Sequence, residues 1–456
     1  MAGMNNLTAE LAAADAYSNT IRFFTVGMET ACGRPTDCSE PFRELAHGAQ
    51  VRQNMSAPCR SGQSCREKWE PASATALGAG AWDHFSAVCF LTARDIHDGL
   101  GGGVPLGLIS SNWGGTPVQK WERSTGQLYN SMIAPFAVGP MALTGAMWYQ
   151  GESNVGGARY YATAFPAMIE GWRAAFGHPE LWFGFVQIAG FGYSRPFGQQ
   201  QCEQDHSWAA GDLRQAQLSA LALPHVGFST AVDTGDWHNI HPPDKQAPSR
   251  RLAQQALVQV YGKVIGAADF PVYAGSSFVV TSGHVTVTVS LKGSLSGRPI
   301  TLTAVAPRAA VQSTTLGLPG SVPRNACVTM LGYPRLPCDC GYPYIYGKFA
   351  NGSATFLNAT VTIGTDGTSV ELVATAPNGF HPTASSYGRA SWPMTVLFAE
   401  EGGNPVIPWY ANFSTTNPWE PPEVAADIHL PAVVAQEQTT PASHVVVPTQ
   451  CNVSLL

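Results

Sequence analysis

Residues 145–154 read GAMWYQGESN. The first half of this stretch is apolar, and the second half carries an amide (Gln150), a carboxylate (Glu152), a hydroxyl (Ser153) and a second amide (Asn154). A short apolar run that ends abruptly in polar residues is typical of a buried strand. The stretch therefore predicts a strand inside a sheet, with a polar loop at its carboxyl end.

Around this strand, predicted strands alternate with predicted helices. Such alternation is typical of parallel βαβ units, so we predict an α/β fold with a doubly wound parallel sheet. In such sheets the functional site lies outside the carboxyl ends of the strands. The predicted strands lie within 22–26, 104–111, 145–149, 181–191 and 226–235, and the predicted helices within 85–100, 127–136, 160–176, 211–223 and 248–262.

After residue 265 the pattern changes. The stretches 278–291 and 359–376 alternate β-branched and polar residues, and Asp366-Gly367 marks a hairpin turn. We therefore expect a first domain over 1–265, a smaller β-rich domain over 266–413, and a Pro/Thr/Ala-rich tail without regular structure over 414–456.

Composition excludes several classes of protein. The chain has 456 residues, a net charge of −6 and only 12% charged residues, with no block of Lys or Arg. A nucleic-acid partner is therefore not expected. No run of 18 apolar residues occurs, so we expect no membrane span.

Cysteines and sequons indicate a secreted or lysosomal (lumenal) glycoprotein. Ten cysteines include close pairs in loop-like sequence, such as Cys32 with Cys38 and Cys59 with Cys65, which favours disulfides. Cys338 and Cys340 lack the spacing of a zinc site, so no metal is predicted. The N-terminus lacks the pattern of a signal peptide, and we expect the true N-terminus to be missing. The sequons are Asn6, Asn54, Asn351, Asn358, Asn412 and Asn452.

Three polar motifs follow predicted strands and carry the candidate chemistry. In NWGGT, the backbone N–H groups of Gly114 and Gly115 suit an oxyanion hole, although a plain tight turn has the same sequence. In QGESN, Gln150 is a possible second oxyanion donor and Glu152 a possible acid/base, although a helix cap fits too. In DTGDWHNIHPPDK, residues 233–245, His241 is the candidate base for activating a hydroxyl.

Taken in order, these motifs resemble one family. The stretches GLISSNWGGTPVQKW, LYNSMI, MWYQGESN, FPAMIEGWR, FVQIAGF and IHPPDK are similar to those of the sialate O-acetylesterases, a branch of the SGNH-type esterases. The resemblance runs from about residue 5 to 262, and continues more weakly through SSYGRASWP and NPVIPWY. It implies a flavodoxin-like sheet and hydrolysis of acetyl esters on sialic acid without a cofactor.

The resemblance also implies roles for individual residues. His241 would activate the attacking serine, while Gly114 or Gly115 and Gln150 would hold the oxyanion. For the carboxylate that orients the histidine, Glu152 matches the motif. Some relatives instead use an Asp three residues before the histidine, where this chain has His238, so that Asp236 is the nearest substitute. A dyad without a carboxylate stays open.

The nucleophile is the main departure from the family. The family's serine lies in a GQSN turn after the first strand, and this chain resembles the family only from just downstream of that turn. We therefore expect the nucleophile and first strand to be absent and the chain to be inactive or impaired. Ser64, in GQSC, is the alternative, but no apolar strand precedes it. Ser153, Ser110 and Ser111 are weaker candidates.

Two other functions remain open from the sequence. One is a non-catalytic glycan-binding protein that would use aromatic residues of the cleft. The other is an esterase for a plant-type acetylated polysaccharide such as xylan. Sialic acid carries a carboxylate, so its site should hold an arginine. The aromatic candidates are Trp113, Trp121, Trp148 and Trp237, and the arginine candidates are Arg123, Arg159 and Arg214.

Overall fold

The fold was analysed in a computed structural model of the chain. The structure describes residues 3–26, 69–78, 85–123, 126–137, 142–193, 208–237, 239–305, 308–313, 326–330, 343–414 and 452–455. The predicted close cysteine pairs, Ser64, Asn54 and His238 lie outside these residues.

The N-terminal half forms a seven-stranded sheet with the order β2-β1-β3-β19-β4-β5-β6. Neighbours β1 and β3, β4 and β5, and β5 and β6 pair in parallel, as predicted, whereas β2 and β19 are antiparallel to their neighbours. The strands are β1 Ile21–Thr25, β2 Glu70–Pro71, β3 Leu106–Asn112, β4 Gly145–Tyr149, β5 Trp182–Gln187, β6 Val226–Thr230 and β19 Asn452–Leu455.

Helices cover both faces of this sheet. All five residues of β4 are buried, because Ala146 and Trp148 pack into one apolar cluster and Met147 and Tyr149 into another on the opposite face. This explains why the strand reads as a continuous apolar run rather than an alternating one. The helices are α1 Leu7–Ala14, α2 Ala74–Leu77, α3 Ala87–Gly99, α4 Gln127–Met132, α5 Ala134–Ala137, α6 Ala158–Phe176, α7 Ala209–Gln217 and α8 Gln246–Gln259.

Apart from the parallel pair of β10 and β11, the described strands of the second half pair in antiparallel fashion. Two four-stranded sheets have the orders β13-β12-β16-β18 and β14-β15-β8-β7, and two-stranded pairs join β10 to β11 and β17 to β9. The strands are β7 Pro271–Thr281, β8 His284–Gly293, β9 Leu302–Ala304, β10 Arg308–Ser313, β11 Ala326–Met330, β12 Tyr344–Lys348, β13 Ala354–Asn358, β14 Thr360–Ile363, β15 Ser369–Thr375, β16 His381–Tyr387, β17 Leu397–Ala399 and β18 Trp409–Asn412. The predicted β-rich part that follows the α/β sheet is confirmed.

Helix α7 joins the two halves. Arg214 is fully buried and donates to the carbonyl oxygens of Ile188 and Ala189 in the first half and of Ala390 and Ser391 in the second, at 2.8–2.9 Å. Burial lowers the pKa of this guanidinium to about 10. Arg214 is therefore a structural residue, and its backbone partners leave it unsuited to binding the carboxylate of sialic acid.

A second arginine reinforces this contact from the opposite side. Arg389 forms a two-point ion pair with Asp212 of α7, with distances of 2.7 and 3.1 Å. Its guanidinium also stacks 4.4 Å from the ring centres of Trp208 and Tyr410. The helix and the stretch that carries Arg389 approach so closely that a Cβ at Gly211 would lie 1.7 Å from the Arg389 carbonyl oxygen. The two halves thus meet at a packed seam.

One feature of the tail differs from the expectation. Residues 452–455 were predicted to lack regular structure, but they form β19, which pairs with both β3 and β4 in the centre of the sheet. A sequence pattern gives little signal for so short a strand, because its pairing partners lie more than 300 residues away in the chain.

We expect Arg214→Met to destabilise the fold by about 3–5 kcal/mol, because it leaves four carbonyl oxygens without their buried donor. Urea unfolding followed by fluorescence measures this change. The matched control is Arg250→Met, at an exposed position of α8, with an expected change within about 0.5 kcal/mol. Equal effects of the two substitutions would contradict the structural role of Arg214.

Candidate active site

Three loops meet at the carboxyl edge of the sheet. The NWGGT motif follows β3, the QGESN motif follows β4, and residues 231–245 follow β6. Direct hydrogen bonds join the first two loops, since Gln150 Nε2 donates to Thr116 O at 3.2 Å and Val118 N donates to Asn154 Oδ1 at 2.9 Å. The predicted convergence of these two motifs is therefore observed.

Gln150 is the centre of this network and is fully buried. Its side-chain nitrogen donates to Thr116 O and to Asn154 Oδ1 (2.7 Å), and its side-chain oxygen accepts from the Tyr161 hydroxyl (2.9 Å). Both amide hydrogens are thus committed in this structure. To serve as an oxyanion donor, Gln150 has to exchange one of these acceptors for the ligand.

The glycine turn after β3 is open to solvent. Gly114 is half-buried, and Gly115 is exposed with a φ of 68°, a left-handed conformation that favours glycine. Beside it, the Thr116 hydroxyl donates to Trp113 O at 2.7 Å and accepts from Trp121 Nε1 at 3.0 Å. The turn is therefore held by its flanking residues, while the two glycines stay accessible to a ligand.

A buried lysine links the QGESN loop to the loop after β6. Lys245 is 8% exposed, and its Nζ lies 5.1 Å from the centre of the Tyr149 ring. Burial lowers the pKa of Lys245 to about 8, while the nearby carboxylates of Glu152 and Asp244 raise it. Burial also raises the pKa of Glu152 to about 7, against the lowering effect of Lys245. Because each group affects the other, the two loops share one electrostatic site.

Sequence reasoning assigned no role to Lys245. The residue stands in the IHPPDK motif, and that position was the one available signal. Nothing in the local pattern showed that its ammonium would be buried, because a lysine is usually exposed.

His241 belongs to the same electrostatic site. Burial, followed by the positive charge of Lys245, lowers the pKa of His241 to about 4. The imidazole is therefore neutral at pH 7 and able to accept a proton. Its backbone N–H donates to Asn239 Oδ1 at 2.9 Å, and Asn239 N donates to Asp236 Oδ1 at 3.1 Å. Asp236 thus shapes the turn that carries His241.

Asp233, the first carboxylate of the same motif, has a structural partner. Its two oxygens accept from Arg251 Nη1 and Nη2 at 2.7 and 2.8 Å, and both residues are buried. Arg251 Nη1 also donates to Thr230 O, the last residue of β6. This ion pair fixes the start of the loop to α8.

The weaker serine candidates fall into two groups. Ser110 and Ser111 are buried within β3, where Ser110 Oγ accepts from Ser86 N and Asn112 Nδ2, and Ser111 Oγ donates to Met132 O. Ser153 is exposed in the loop after β4.

The aromatic candidates for glycan stacking are mostly inside the core. Trp121, Trp148 and Trp237 are at most 3% exposed, and only Trp113 is partly exposed. A buried ring offers no face to a sugar, so these residues do not favour the glycan-binding alternative. In the described part of the chain, no group of three or more potential metal ligands is found, and none of the helices is long and apolar enough to cross a membrane.

Comparison with known proteins identifies a family over the region that contains this site. Residues 66–257 match the family model described as carbohydrate esterase, sialic acid-specific acetylesterase. The resemblance inferred from the motifs is thereby confirmed over the region that holds all three loops.

Individual relatives give the same result. The chain is 32% identical to the sialate O-acetylesterase of Homo sapiens over 241 residues, which are 43% of each chain. It is 29% identical to that of Rattus norvegicus over 260 residues, 43% of this chain and 46% of the relative. The chain thus spans less than half the length of these relatives.

A solved structure supports the fold. The crystal structure of a carbohydrate acetylesterase from Xanthomonas citri superposes with a TM-score of 0.60 at 23% identity, over 90% of this chain and 76% of the other. At this identity the likeness concerns the α/β fold and its β-rich extension.

We expect the fold to become less stable as the pH is lowered, because the folded state lowers the pKa of His241. Between pH 6.5 and 4 the unfolded chain binds a proton that the folded imidazole does not, so the unfolding free energy decreases as pH falls. Because the imidazole is partly exposed, solvent screening reduces the effect, and we expect a decrease of at most about 1 kcal/mol between pH 7 and pH 5. Urea unfolding at both pH values should show a smaller difference for His241→Gln.

The control for this experiment is His284→Gln, which replaces an exposed histidine of β8. It should keep the pH dependence of the unmodified chain. If His241→Gln keeps it as well, His241 is not held neutral by its surroundings.

Proposed function

We propose that this protein is a carbohydrate O-acetylesterase of the sialate O-acetylesterase type, with a site suited to acetyl esters on sialic acid, and that this chain by itself is inactive or impaired. The observation that carries the proposal is the meeting of an open glycine turn, Gln150, and the Glu152–Lys245–His241 group at one sheet edge. The family match over the same loops supports it.

In the proposed reaction, a hydroxyl attacks the acetyl carbonyl carbon while neutral His241 accepts its proton. The carbonyl oxygen becomes an anion, which the N–H groups of Gly114 and Gly115 stabilise. His241 then donates the proton to the sugar oxygen as the ester bond breaks. A water molecule, activated by His241, releases acetate in the second half of the reaction.

In this mechanism, a carboxylate near the histidine stabilises the imidazolium that forms when the histidine accepts a proton. We propose Glu152 for this role, because it shares the buried site with Lys245, whereas Asp236 bonds to the backbone of the turn. The ammonium of Lys245 favours the ionised form of Glu152. Gln150 would join the oxyanion hole after releasing Thr116 O or Asn154 Oδ1.

We propose that the attacking serine lies outside the described residues. Ser110 and Ser111 have structural hydrogen bonds inside β3, and the family's GQSN turn is absent from the sequence. If Ser64, which also lies outside the described residues, does not take this role, the chain by itself has little or no turnover, because acyl transfer needs the nucleophile. Ser64 is the alternative source.

The proposal extends to the substrate and to the location of the protein. Among the arginine candidates, Arg159 is exposed, Arg123 is exposed but hydrogen-bonded to Tyr129, and Arg214 is committed to the seam between the two halves. We propose a secreted or lysosomal glycoprotein, and exposure of four sequon asparagines supports this. They are Asn6, Asn351, Asn358 and Asn412.

The test is acetate release by the purified chain from O-acetylated sialic acid, acetylated xylan and a chromogenic acetate ester. We expect turnover no higher than that of His241→Gln, and weak saturation-transfer NMR binding that favours acetylated sialic acid over xylan. Binding that favours xylan would move the proposal to the polysaccharide esterases.

Ser64→Ala provides the control for the nucleophile. Robust turnover that a serine-directed inhibitor blocks would contradict the absence of a nucleophile. Loss of that turnover in Ser64→Ala would assign the reaction to Ser64.

A further inference from the structure

The centre of the first sheet contains a strand from the other end of the chain. Strand β19 lies between β3 and β4, where Asn452 pairs with Asn112 and Tyr149, and Leu455 pairs with Ile109 and Ala146. The described backbone hydrogen bonds therefore connect β3 to β4 by way of residues 452–455 and not directly.

This strand fits its position only partly. It is antiparallel to both neighbours, although the pairs β1–β3, β4–β5 and β5–β6 are parallel. It pairs with residues 109–112 of β3, and none of the described residues pairs with 106–108 on that side. Antiparallel strands in mixed α/β sheets usually stand at an edge, where the fold depends on them least.

The free energies that favour and oppose the insertion of this strand are of similar size. Four residues in a central strand form at most about eight backbone hydrogen bonds, and the ordering of four residues opposes them with a similar magnitude. Strand β19 lies more than 300 residues after β3 and β4 in the chain, so no short turn joins it to either neighbour.

We propose that β19 is a reversible plug: residues 452–455 occupy the position between β3 and β4, and leave it while the rest of the sheet stays folded. Because β19 runs inward from the carboxyl edge, Asn452 lies beside Asn112 and Tyr149, directly before the glycine turn and Gln150. The inserted plug thus closes the sheet at the candidate site. The proposal does not depend on esterase chemistry.

Hydrogen exchange followed by mass spectrometry on the full chain tests the plug. In the unmodified chain, we expect the β3 and β4 amides that face β19 to exchange at least tenfold faster than those between β5 and β6. Ser454→Pro removes a ladder N–H in the middle of β19. It should accelerate exchange in residues 109–112 and 146–149 by a further tenfold or more, and leave 183–187 protected.

Two comparisons make the result specific. Ala442→Pro places a proline in the chain before the strand and should change nothing. A synthetic peptide of residues 451–456, added at millimolar concentration to Ser454→Pro, should restore part of the protection of β3 and β4. Unchanged exchange in Ser454→Pro would overturn the proposal. Loss of protection throughout the sheet would overturn it too, because β19 would then be a permanent part of the core.

Discussion

The candidate site depends on the complete burial of Gln150 at the end of β4. A buried amide without partners is costly, so each of its polar atoms is bonded. Its side chain reaches Thr116 after β3, Asn154 in its own loop and Tyr161 on α6, and its carbonyl oxygen accepts from Gln217 on α7. One residue thus ties the two loops to the helices behind them. The glycine turn remains exposed, because the hydrogen bonds that hold it are made on its buried side.

The β-rich half supports this site without supplying its chemistry. Arg214 and Arg389 fasten α7 to it, and Trp392 packs edge-on against Trp237 in the loop that leads to His241, with ring centres 6.0 Å apart. A Cβ at Gly190, just after β5, would lie 3.2 Å from the Trp392 ring, so this approach is close. The stretch SSYGRASWP, which resembled the family only weakly, contains these contact residues.

Electrostatics in the site are governed by burial. Lys245 and Glu152 attract each other, yet both pKa values move toward neutrality, because removal from water outweighs the attraction. Burial thus brings the pKa of Lys245 to about 8 and that of Glu152 to about 7. In the same site, burial and the positive charge of Lys245 lower the pKa of His241 and keep its imidazole neutral. Such a combination is typical of an acid–base site rather than of a stabilising ion pair.

The sequence by itself determined the alternating strands and helices, the change to a β-rich half and the motif-bearing loops. Each of these features depends on local periodicity and on residues that are adjacent in the chain. The apolar run of residues 145–149 predicted β4, for example, since a strand buried on both faces has no polar positions. Only the tertiary structure decided that Arg214 joins the two halves, that Lys245 is buried beside Glu152, and that residues 452–455 enter the sheet. These features arise from contacts between residues far apart in sequence, and no local pattern encodes the burial or pairing that such contacts create.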